Sequence, residues 1–370
     1  MSVRSGARSN RALIIDYRDD VRLFRTGWAW FGLAAMVTTW LLAPIVLSEF
    51  QLNVLAYAGV TAIAGIGLNL LTGYTGQVSL GHAVFFGVGG YTVCAIGADH
   101  DLPIVVWLPA AALIGALLGA VIGPFALRLR GNYLAIVTLG LVFIGAHVFK
   151  TFDSLTGGGA GRSATGAIPV LDKNFFNLAG ERFSRNQGYF WLIWSVVGVG
   201  ALLAKNIVRS RPGRAMRAVR DRDLAAEIVG VGVARYKVGA FAVSSGYAAV
   251  AGALYAVLQR FIAPTNFGLD LSIQYIAVIV IGGVGTIFGA VLGALALGSM
   301  PRIIEQLSRT NDLPFVSGDK GGPDGFIEVA SLNRIIYGVL IVIFLVVEPH
   351  GLAAVWLRVK ARLQSWPFSY

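Results

Sequence analysis

Charged residues are scarce in this 370-residue chain. Asp, Glu, Lys and Arg make up 13% of it, whereas soluble globular domains carry about 25%. Hydrophobic residues make up 56%, and the mean hydropathy is +0.71. The net charge of +11 lies at the ends of apolar segments, which argues against the basic face of a soluble nucleic-acid-binding domain. This composition predicts an integral membrane protein whose surroundings are the lipid bilayer.

Metal ligands and nucleotide-binding motifs are also scarce. The single cysteine, Cys94, excludes an intramolecular disulfide and a multi-cysteine zinc site, and we expect it to be a small core residue. The four histidines have no ligand spacing, so no metal or cofactor is expected. No G-x-x-x-x-G-K-[ST] motif is present, so we expect a transport protein and not an enzyme with its own ATP site.

Apolar segments of near-membrane length are abundant, and they predict an all-α membrane protein with about ten transmembrane helices. The segments are 27–48, 51–72, 78–97, 103–127, 131–149, 188–204, 238–258, 271–284, 286–301 and 335–347. Whether 271–301 forms one span or two stays open. No short apolar region with a cleavage site precedes them, so we expect the first span to be retained.

The distribution of positive charge predicts the orientation. With ten spans and both the N- and C-termini cytoplasmic, the inside segments hold 20 of the 30 Lys and Arg residues, as the positive-inside rule requires. These segments are an arm at 1–26, a turn at Arg128–Arg130, a loop at 205–237 and a tail at 349–370. The permease domain is then 27–348, with extracytoplasmic loops at 150–187 and 302–334.

The bodies of the predicted spans contain no Asp, Glu, Lys or Arg. Transporters coupled to protons or ions usually keep ionisable residues at mid-depth. Only His82 and His147 are titratable there. The sequence therefore favours a neutral pathway for a small polar solute.

The stretch LNLLTGYTGQVSLGHAVFFGVGGY, residues 68–91, predicts a broken helix. Its glycines weaken a continuous helix by about 1 kcal/mol each. Ser79, His82 and Phe86 follow at helical spacing on one face, with Gln77 just before them. We expect this face to line the translocation pathway. The alternative is that Ser79 and His82 only hydrogen-bond a neighbouring helix.

A second stretch weakly echoes the first. SLGHAVFFGVGGY (79–91) and SIQYIAVIVIGGVGT (272–286) each have a Ser, an apolar run and paired glycines. The predicted topology starts Ser79 near the inside and Ser272 near the outside. The echo therefore predicts an inverted repeat with the pathway, including Ser272, between its halves.

The inside loop 205–237 carries small apolar residues beside several arginines. A helix over 213–230, ended by glycines, would present these residues to a partner subunit. The candidate docking residues are Arg214, Arg217, Ala218, Ala225, Ala226 and Gly230. The alternative is a basic helix that faces water or lipid headgroups.

Six stretches from about residue 60 to 355 together resemble the permease subunits of branched-chain amino acid ABC importers, the LivH/LivM type, and most of all the LivM type. They are GLNLLTGYTGQVSLGHAVFFGVGGY, LRLRGNYLAIVTLG, LTGGGAGR, GRAMRAVRDRDLAAEIVGVGVARYKVGAFAVSSGYAAVAGALYA, GGVGTIFGAVLGALAL and VVEPHGL. The resemblance implies separate ATPase subunits, a second homologous permease subunit and an extracytoplasmic solute-binding protein.

The resemblance also assigns the inside loop and leaves the solute open. The loop is similar to the importer coupling motif E-A-A-x-x-x-G, with Leu224 in place of Glu, which implies docking in a groove of the ATPase. The outside stretch Thr156–Arg162 differs from the T-G-G-P-N-G-I-like stretch of many relatives. The outside loops would receive the binding protein, or they are ordinary exposed loops.

The sequence therefore predicts a permease subunit in the cell inner membrane, serving an ABC importer for branched-chain amino acids or a related small polar solute. The alternative is a passive channel or facilitator for a small neutral solute such as urea, which would conduct without partners. A purely structural scaffold explains neither the glycines nor the loop. The exact substrate (leucine-like, urea, an amide or an aromatic acid), the pairing of permeases and the role of 1–26 stay open.

Overall fold

The computed structural model describes residues 27–127, 133–165, 184–310, 316–317, 327–348 and 351–365. The predicted arm 1–26, the turn at 128–130 and parts of the loops 150–187 and 302–334 and of the tail 349–370 lie outside them. Within the described residues the fold is all-α apart from two pairs of two-residue strands, as predicted.

The chain forms two compact units, one ending at Val46 and one from Leu47 onward. The first contains α1 (Gly27–Val46). The second contains α2 (Glu49–Thr75), α3 (His82–Thr92), α4 (Ile104–Leu127), α5 (Tyr133–Thr151), α6 (Asp153–Thr156), α7 (Arg185–Arg209), α8 (Arg211–Asp221), α9 (Asp223–Ile228), α10 (Val233–Gln259), α11 (Leu269–Gly282), α12 (Ile287–Gly293), α13 (Met300–Thr310), α14 (Val329–Val347) and α15 (Gly351–Ser365).

Short elements complete the second unit. Two π-helical segments, Val93–Ala98 and Ala294–Gly298, continue α3 and α12. Strand β1 (Arg162–Ser163) pairs antiparallel with β2 (Phe261–Ile262). Strand β3 (Val316–Ser317) pairs in parallel with β4 (Ile327–Glu328). Two 3₁₀ turns lie at Gly158–Ala160 and Pro264–Phe267.

The length and apolar character of the helices agree with a membrane protein. Among the described residues, six helices are long and apolar enough to cross a membrane, namely Glu49–Thr75, Ile104–Phe125, Leu134–Thr151, Arg185–Arg209, Val233–Gln259 and Ile287–Leu307. Four shorter apolar helices span Ala34–Val46, His82–Ala98, Leu269–Gly282 and Arg334–Phe344. Each of the ten apolar segments predicted from the sequence overlaps one of these helices.

Helix α2 lies at the centre of its unit, and local capping sets its ends. Ser48 and Gln51 form a capping box at its start, where each side chain bonds the other's backbone N–H. Gly76 ends the helix in the left-handed conformation, with φ +71°. The middle of α2 is almost entirely buried, because α7 and α10 pack along it.

Helices α3 and α10 approach each other backbone to backbone. A Cβ atom added to Gly252 would lie 1.7 Å from the carbonyl oxygen of Phe86, and one added to Gly89 would lie 1.8 Å from that of Ala249. Only glycine permits this separation, so two of the glycines that weaken the helices locally are required by their packing.

The segment 271–301 is two helices. Helix α11 ends at a turn in which Gly283 and Gly285 have φ +122° and +82°, and α12 begins behind the Thr286 cap. A Cβ atom on Gly282 would lie 2.0 Å from the carbonyl oxygen of Gly289, so the two helices fold tightly against each other. The sequence alone did not indicate whether 271–301 is continuous. The paired glycines break it, because glycine adopts the positive φ values that this turn requires.

The last candidate span extends beyond the boundary predicted from hydropathy. The apolar segment 286–301 was expected to end at 301, but the helix continues to Leu307 and therefore includes Arg302 and Glu305. The apolar pattern changes to an amphipathic one in α13 while the helix continues, so hydropathy alone placed the boundary too early.

Candidate functional site

The turn between α2 and α3 is shaped by the polar residues that the sequence assigned to a pathway. The hydroxyl of Thr75 donates to the Gln77 side-chain oxygen at 3.2 Å, and that of Thr72 donates to the Gln77 carbonyl at 3.0 Å. The Ser79 hydroxyl accepts the backbone N–H of Gly81 at 3.3 Å. Gln77 and Ser79 are buried, so these bonds replace the water that their polar groups would otherwise need.

His82, the first residue of α3, faces the middle of α2. Its Nε2 lies 3.0 Å from the carbonyl oxygen of Ala64, and the side chain is 2% exposed. A carbonyl only accepts, so Nε2 carries the proton in this bond. The ring also meets Tyr275 of α11 edge-on, with the centroids 5.6 Å apart.

Phe86 lies one turn beyond His82 and is fully buried. Its ring packs against Tyr255 at 5.3 Å, Tyr275 at 5.6 Å and Phe267 at 6.1 Å between centroids. Tyr275 therefore touches both His82 and Phe86, so these two side chains share a face of α3, whereas the prediction that Ser79 lies on the same helical face is wrong because α3 begins only at His82.

Ser272 joins α11 to the beginning of α3. Its hydroxyl accepts the backbone N–H of Ala83 at 3.1 Å. The first N–H groups of a helix have no partner within it, and the cap residue Gly81 offers no side chain. Ser272 supplies that partner from the other segment of the predicted repeat, so the first turns of α3 and α11 lie side by side.

The five predicted pathway residues thus occupy one buried region, although only some of them are joined. The structure brings His82 and Phe86 together around Tyr275, and it brings Ser272 to the first turn of α3. Gln77 and Ser79 bond within their own turn. Sequence reasoning missed Tyr275, which follows Ser272 by three residues and therefore shares its helix face. A role in translocation stays a prediction.

The predicted coupling loop forms two helices, whereas a single helix was expected. Helices α8 and α9 are separated at Arg222, which has an extended backbone with φ −156°. Pro212 lies in the first turn of α8, where a proline is well suited because its missing N–H would have no partner. Gly213, Met216 and Val219, spaced by three, form its buried face. Arg214, Arg217 and Ala218 are exposed.

Helix α9 and its C-cap residue Val229 expose large apolar side chains. Leu224 is 66% exposed, Ile228 87% and Val229 82%. Ala225 is also exposed, whereas Ala226 is buried within the chain. Sequence reasoning missed Ile228 and Val229 because it followed the small residues of the motif; the spacing of four between Leu224 and Ile228 was the available signal.

Gly230 ends α9 in a Schellman motif. The Val231 N–H bonds the Ala226 carbonyl at 2.9 Å, and the Gly230 N–H bonds the Glu227 carbonyl at 2.9 Å. Gly230 has φ +88°, which a side chain disfavours. The predicted glycine end is therefore confirmed.

Asp223 fixes the first turn of the same helix. Its carboxylate accepts the Leu224 N–H at 2.9 Å and pairs with Lys237 at 3.4 Å. Partial burial acts to raise the pKa of Asp223, but these two partners outweigh it and hold the pKa below that of an ordinary aspartate. Asp223 is therefore ionised at neutral pH and holds α9 against the start of α10.

A polar cluster joins three helices at the opposite end of α2. The Arg302 guanidinium donates to Gln259 at 2.8 Å and to the Tyr57 hydroxyl, lies 4.0 Å from the centroid of the Tyr57 ring, and pairs with Glu305 at 2.8 Å. Tyr255 joins the cluster by accepting from Gln259 at 3.1 Å. These partners explain how Arg302 is tolerated in a candidate span.

The stretch Thr156–Arg162 forms a compact turn. Gly157, Gly158 and Gly161 all have positive φ, between +56° and +83°. The Arg162 guanidinium donates to two backbone carbonyls of α6 and pairs with Asp99. Three of the four glycines in this stretch, Gly157, Gly158 and Gly161, are therefore required by the backbone.

Comparison with known proteins now decides the family. The family described as "Branched-chain amino acid transport system / permease component" matches residues 50–345, which include every helix from α3 to α13 and all of α2 except its first residue.

The chain belongs to this family. Among its members, the chain is 29% identical over 281 residues to "High-affinity branched-chain amino acid transport system permease protein LivM" of Escherichia coli (strain K12), covering 72% of this chain and 65% of that protein. It is 30% identical over 274 residues to LivM of Salmonella typhimurium, covering 69% and 63%. The chain thus spans slightly less than two thirds of these LivM relatives.

The chain is also similar to a protein with a different name. The chain is 29% identical over 289 residues to "L-arabinose ABC transporter permease protein AraH" of Azospirillum brasilense, covering 75% of this chain and 78% of that protein. A solved structure titled "PsaBC from Streptococcus pneumoniae in complex with Fab" aligns with 88% of the chain at 13% identity and a TM-score of 0.42, too low to establish a shared fold.

Proposed function

We propose that this chain is the transmembrane permease subunit of an ABC importer in the cell inner membrane, and that it carries branched-chain amino acids or a related small polar solute inward. Membership of the permease family supports this proposal, as do relatives named as branched-chain amino acid permeases. Separate ATPase subunits would supply the energy. A second homologous permease and an extracytoplasmic solute-binding protein would complete the importer.

The proposed topology has ten spans, both termini in the cytoplasm and an inverted repeat. Six long and four shorter apolar helices support ten crossings. The side-by-side first turns of α3 and α11 support the repeat, since opposed broken helices commonly meet at the substrate site of transporters. Solute would pass beside this junction, where Gln77, Ser79, His82 and Phe86 of one segment lie near Ser272 of the other.

The observation that carries the proposal is the exposed apolar surface of α9 and its C-cap residue, formed by Leu224, Ile228 and Val229. In the proposed topology this surface faces the cytoplasm, where large apolar side chains exposed to water indicate a protein interface. The exposed Arg214, Arg217 and Ala218 of α8 and Ala225 of α9 would surround it, and Gly230 would end it. The ATPase groove would bury the apolar side chains.

The test is recovery of the ATPase subunits with the tagged chain after gentle detergent purification, with companions identified by mass. Leu224→Asp places a charge in the proposed interface and should lower recovery at least tenfold. Leu155→Asp is the matched control, because Leu155 is 55% exposed in α6 on the opposite side of the proposed membrane. It should leave recovery unchanged.

Two results would contradict the proposal. Equal recovery with Leu224→Asp and Leu155→Asp would show that α9 is not the docking surface. Purification of the chain without companions, together with urea flux through it in liposomes without ATP, would support the passive channel.

A further inference from the structure

Arg220 connects the proposed docking helices to the membrane helices. It lies on α8, and its Nη1 donates to the backbone carbonyl of Gly73 at 2.5 Å. Gly73 belongs to the last turn of α2, whose carbonyls have no partner within the helix and carry the negative end of its dipole. A guanidinium is suited to this position because it is always charged and has several donors.

The same residue borders the turn that leads to the predicted pathway. A Cβ atom on Gly76 would lie 3.7 Å from the Cα and 3.9 Å from the Cβ of Arg220. Gly76 begins the connection that carries Gln77, Ser79 and His82. A displacement of α8 therefore acts directly on the start of this connection.

Arg220 also reaches the break between α11 and α12. A Cβ atom on Gly285 would lie 2.9 Å from the Arg220 Nη1, and one on Gly73 would lie 2.4 Å from the Gly285 nitrogen. Asn69 of α2 fixes this contact. Its Oδ1 accepts the Gly285 N–H at 2.8 Å, and its Nδ2 donates to the Thr286 carbonyl at 2.7 Å.

We propose that Arg220 is a positioning residue that transmits movement of the coupling helices to the Gly73–Gly76 turn and the Gly283–Gly285 turn together. The Gly73–Gly76 turn precedes α3, and the Gly283–Gly285 turn ends α11. Since α3 and α11 meet at Ser272 and His82, one side chain acts on both halves of the predicted repeat. The role rests on the proposed function. It is distinct from docking, because Arg220 bonds residues of its own chain.

The first test separates transmission from docking. The complex that copurifies with Arg220→Gln should contain normal amounts of ATPase subunit and hydrolyse ATP, but its leucine uptake in proteoliposomes should fall at least tenfold. Arg220→Lys, which keeps a cation near the carbonyl, should restore most of the uptake. Arg222→Gln removes a neighbouring exposed arginine and should leave uptake unchanged.

The second test replaces the polar contact by a covalent one. Cys94 is buried, so the pair Gly76→Cys and Arg220→Cys can be oxidised selectively, and their Cβ positions 3.9 Å apart suit a disulfide. Oxidation should restore uptake that the reduced pair has lost. The single variant Gly76→Cys measures the effect of a side chain at a positive φ.

The outcomes distinguish this inference from the proposed function. Unchanged leucine uptake with Arg220→Gln, or loss of uptake in proportion to the loss of ATPase subunit, would overturn the transmission role alone. An oxidised cysteine pair as inactive as the reduced pair would also overturn it. Failure of the wild-type chain to recover an ATPase subunit would overturn the proposed function, and the transmission role with it.

Discussion

The contact between α3 and α10 makes a quantitative prediction about glycine. In Gly252→Ala the new Cβ would lie 1.7 Å from the carbonyl oxygen of Phe86 and 2.6 Å from its carbonyl carbon. These are backbone atoms, so no side-chain rotation relieves the overlap. Ordinary contact begins at 3.4 Å, so the two helices would have to separate by about 1.7 Å along this direction.

That separation should lower the free energy of unfolding by about 1–3 kcal/mol, as overpacking of a close-packed interior does. Gly239→Ala is the control, because it lies on the same helix and its Cβ would meet nothing within 4 Å. Removal of a helix-interior glycine there should be neutral or stabilising by up to about 1 kcal/mol. The two substitutions differ only in what the methyl group meets.

The measurement is thermal unfolding of the purified chain in detergent, followed by the fluorescence of its eight tryptophans. Gly252→Ala should melt clearly below the wild type, and Gly239→Ala at or above it. Gly89→Ala, whose new Cβ overlaps the Ala249 carbonyl across the same interface, should lower the melting temperature about as much as Gly252→Ala. The double variant should lower it by less than the sum of the two single shifts, because one separation of the helices relieves both overlaps. Equal melting temperatures for Gly252→Ala and Gly239→Ala would refute the close approach of the two backbones.

Three further predictions concern the site. Ser272→Ala leaves the Ala83 N–H buried without a partner and should cost about 1–3 kcal/mol in the same thermal assay; no change would show that another group caps α3. Gly230→Ala should reduce ATPase recovery, because its φ of +88° costs an L-residue about 1–2 kcal/mol, whereas Gly230→Asn should retain more of it. His82→Ala should lower leucine uptake or change the substrate range; unchanged uptake would leave only the hydrogen bond to Ala64 as its role.

Much of the fold could be predicted because the apolar segments are long and sharply bounded. The helix break within 68–91 was readable from its glycines, and the structure confirms it, since α2 ends at Thr75 with Gly76 in the left-handed conformation. The helix end at Gly230 was readable for the same reason. Such features depend on the conformations of a few neighbouring residues, which the sequence contains.

The remaining features depend on contacts between distant segments. Nothing near Arg220 in the sequence indicates that it reaches Gly73, which is 147 residues away. The partners of Arg302 at Tyr57 and Gln259 are likewise distant, so the extension of a candidate span over this residue was missed. Hydropathy treats each charge as unpaired, whereas tertiary structure supplies the pairing.

The two π-helical segments have a consequence for the evolution of the family. A π turn closes its hydrogen bond over five residues where an α turn uses four, so it accommodates an extra residue without ending the helix. Val93–Ala98 and Ala294–Gly298 are therefore the positions within these helices where relatives could gain or lose a residue while the helix continues. Differences of one residue in length between homologous apolar segments should concentrate there. Each such difference would rotate the part of the helix that follows the π-helical segment relative to the glycine-rich part that precedes it.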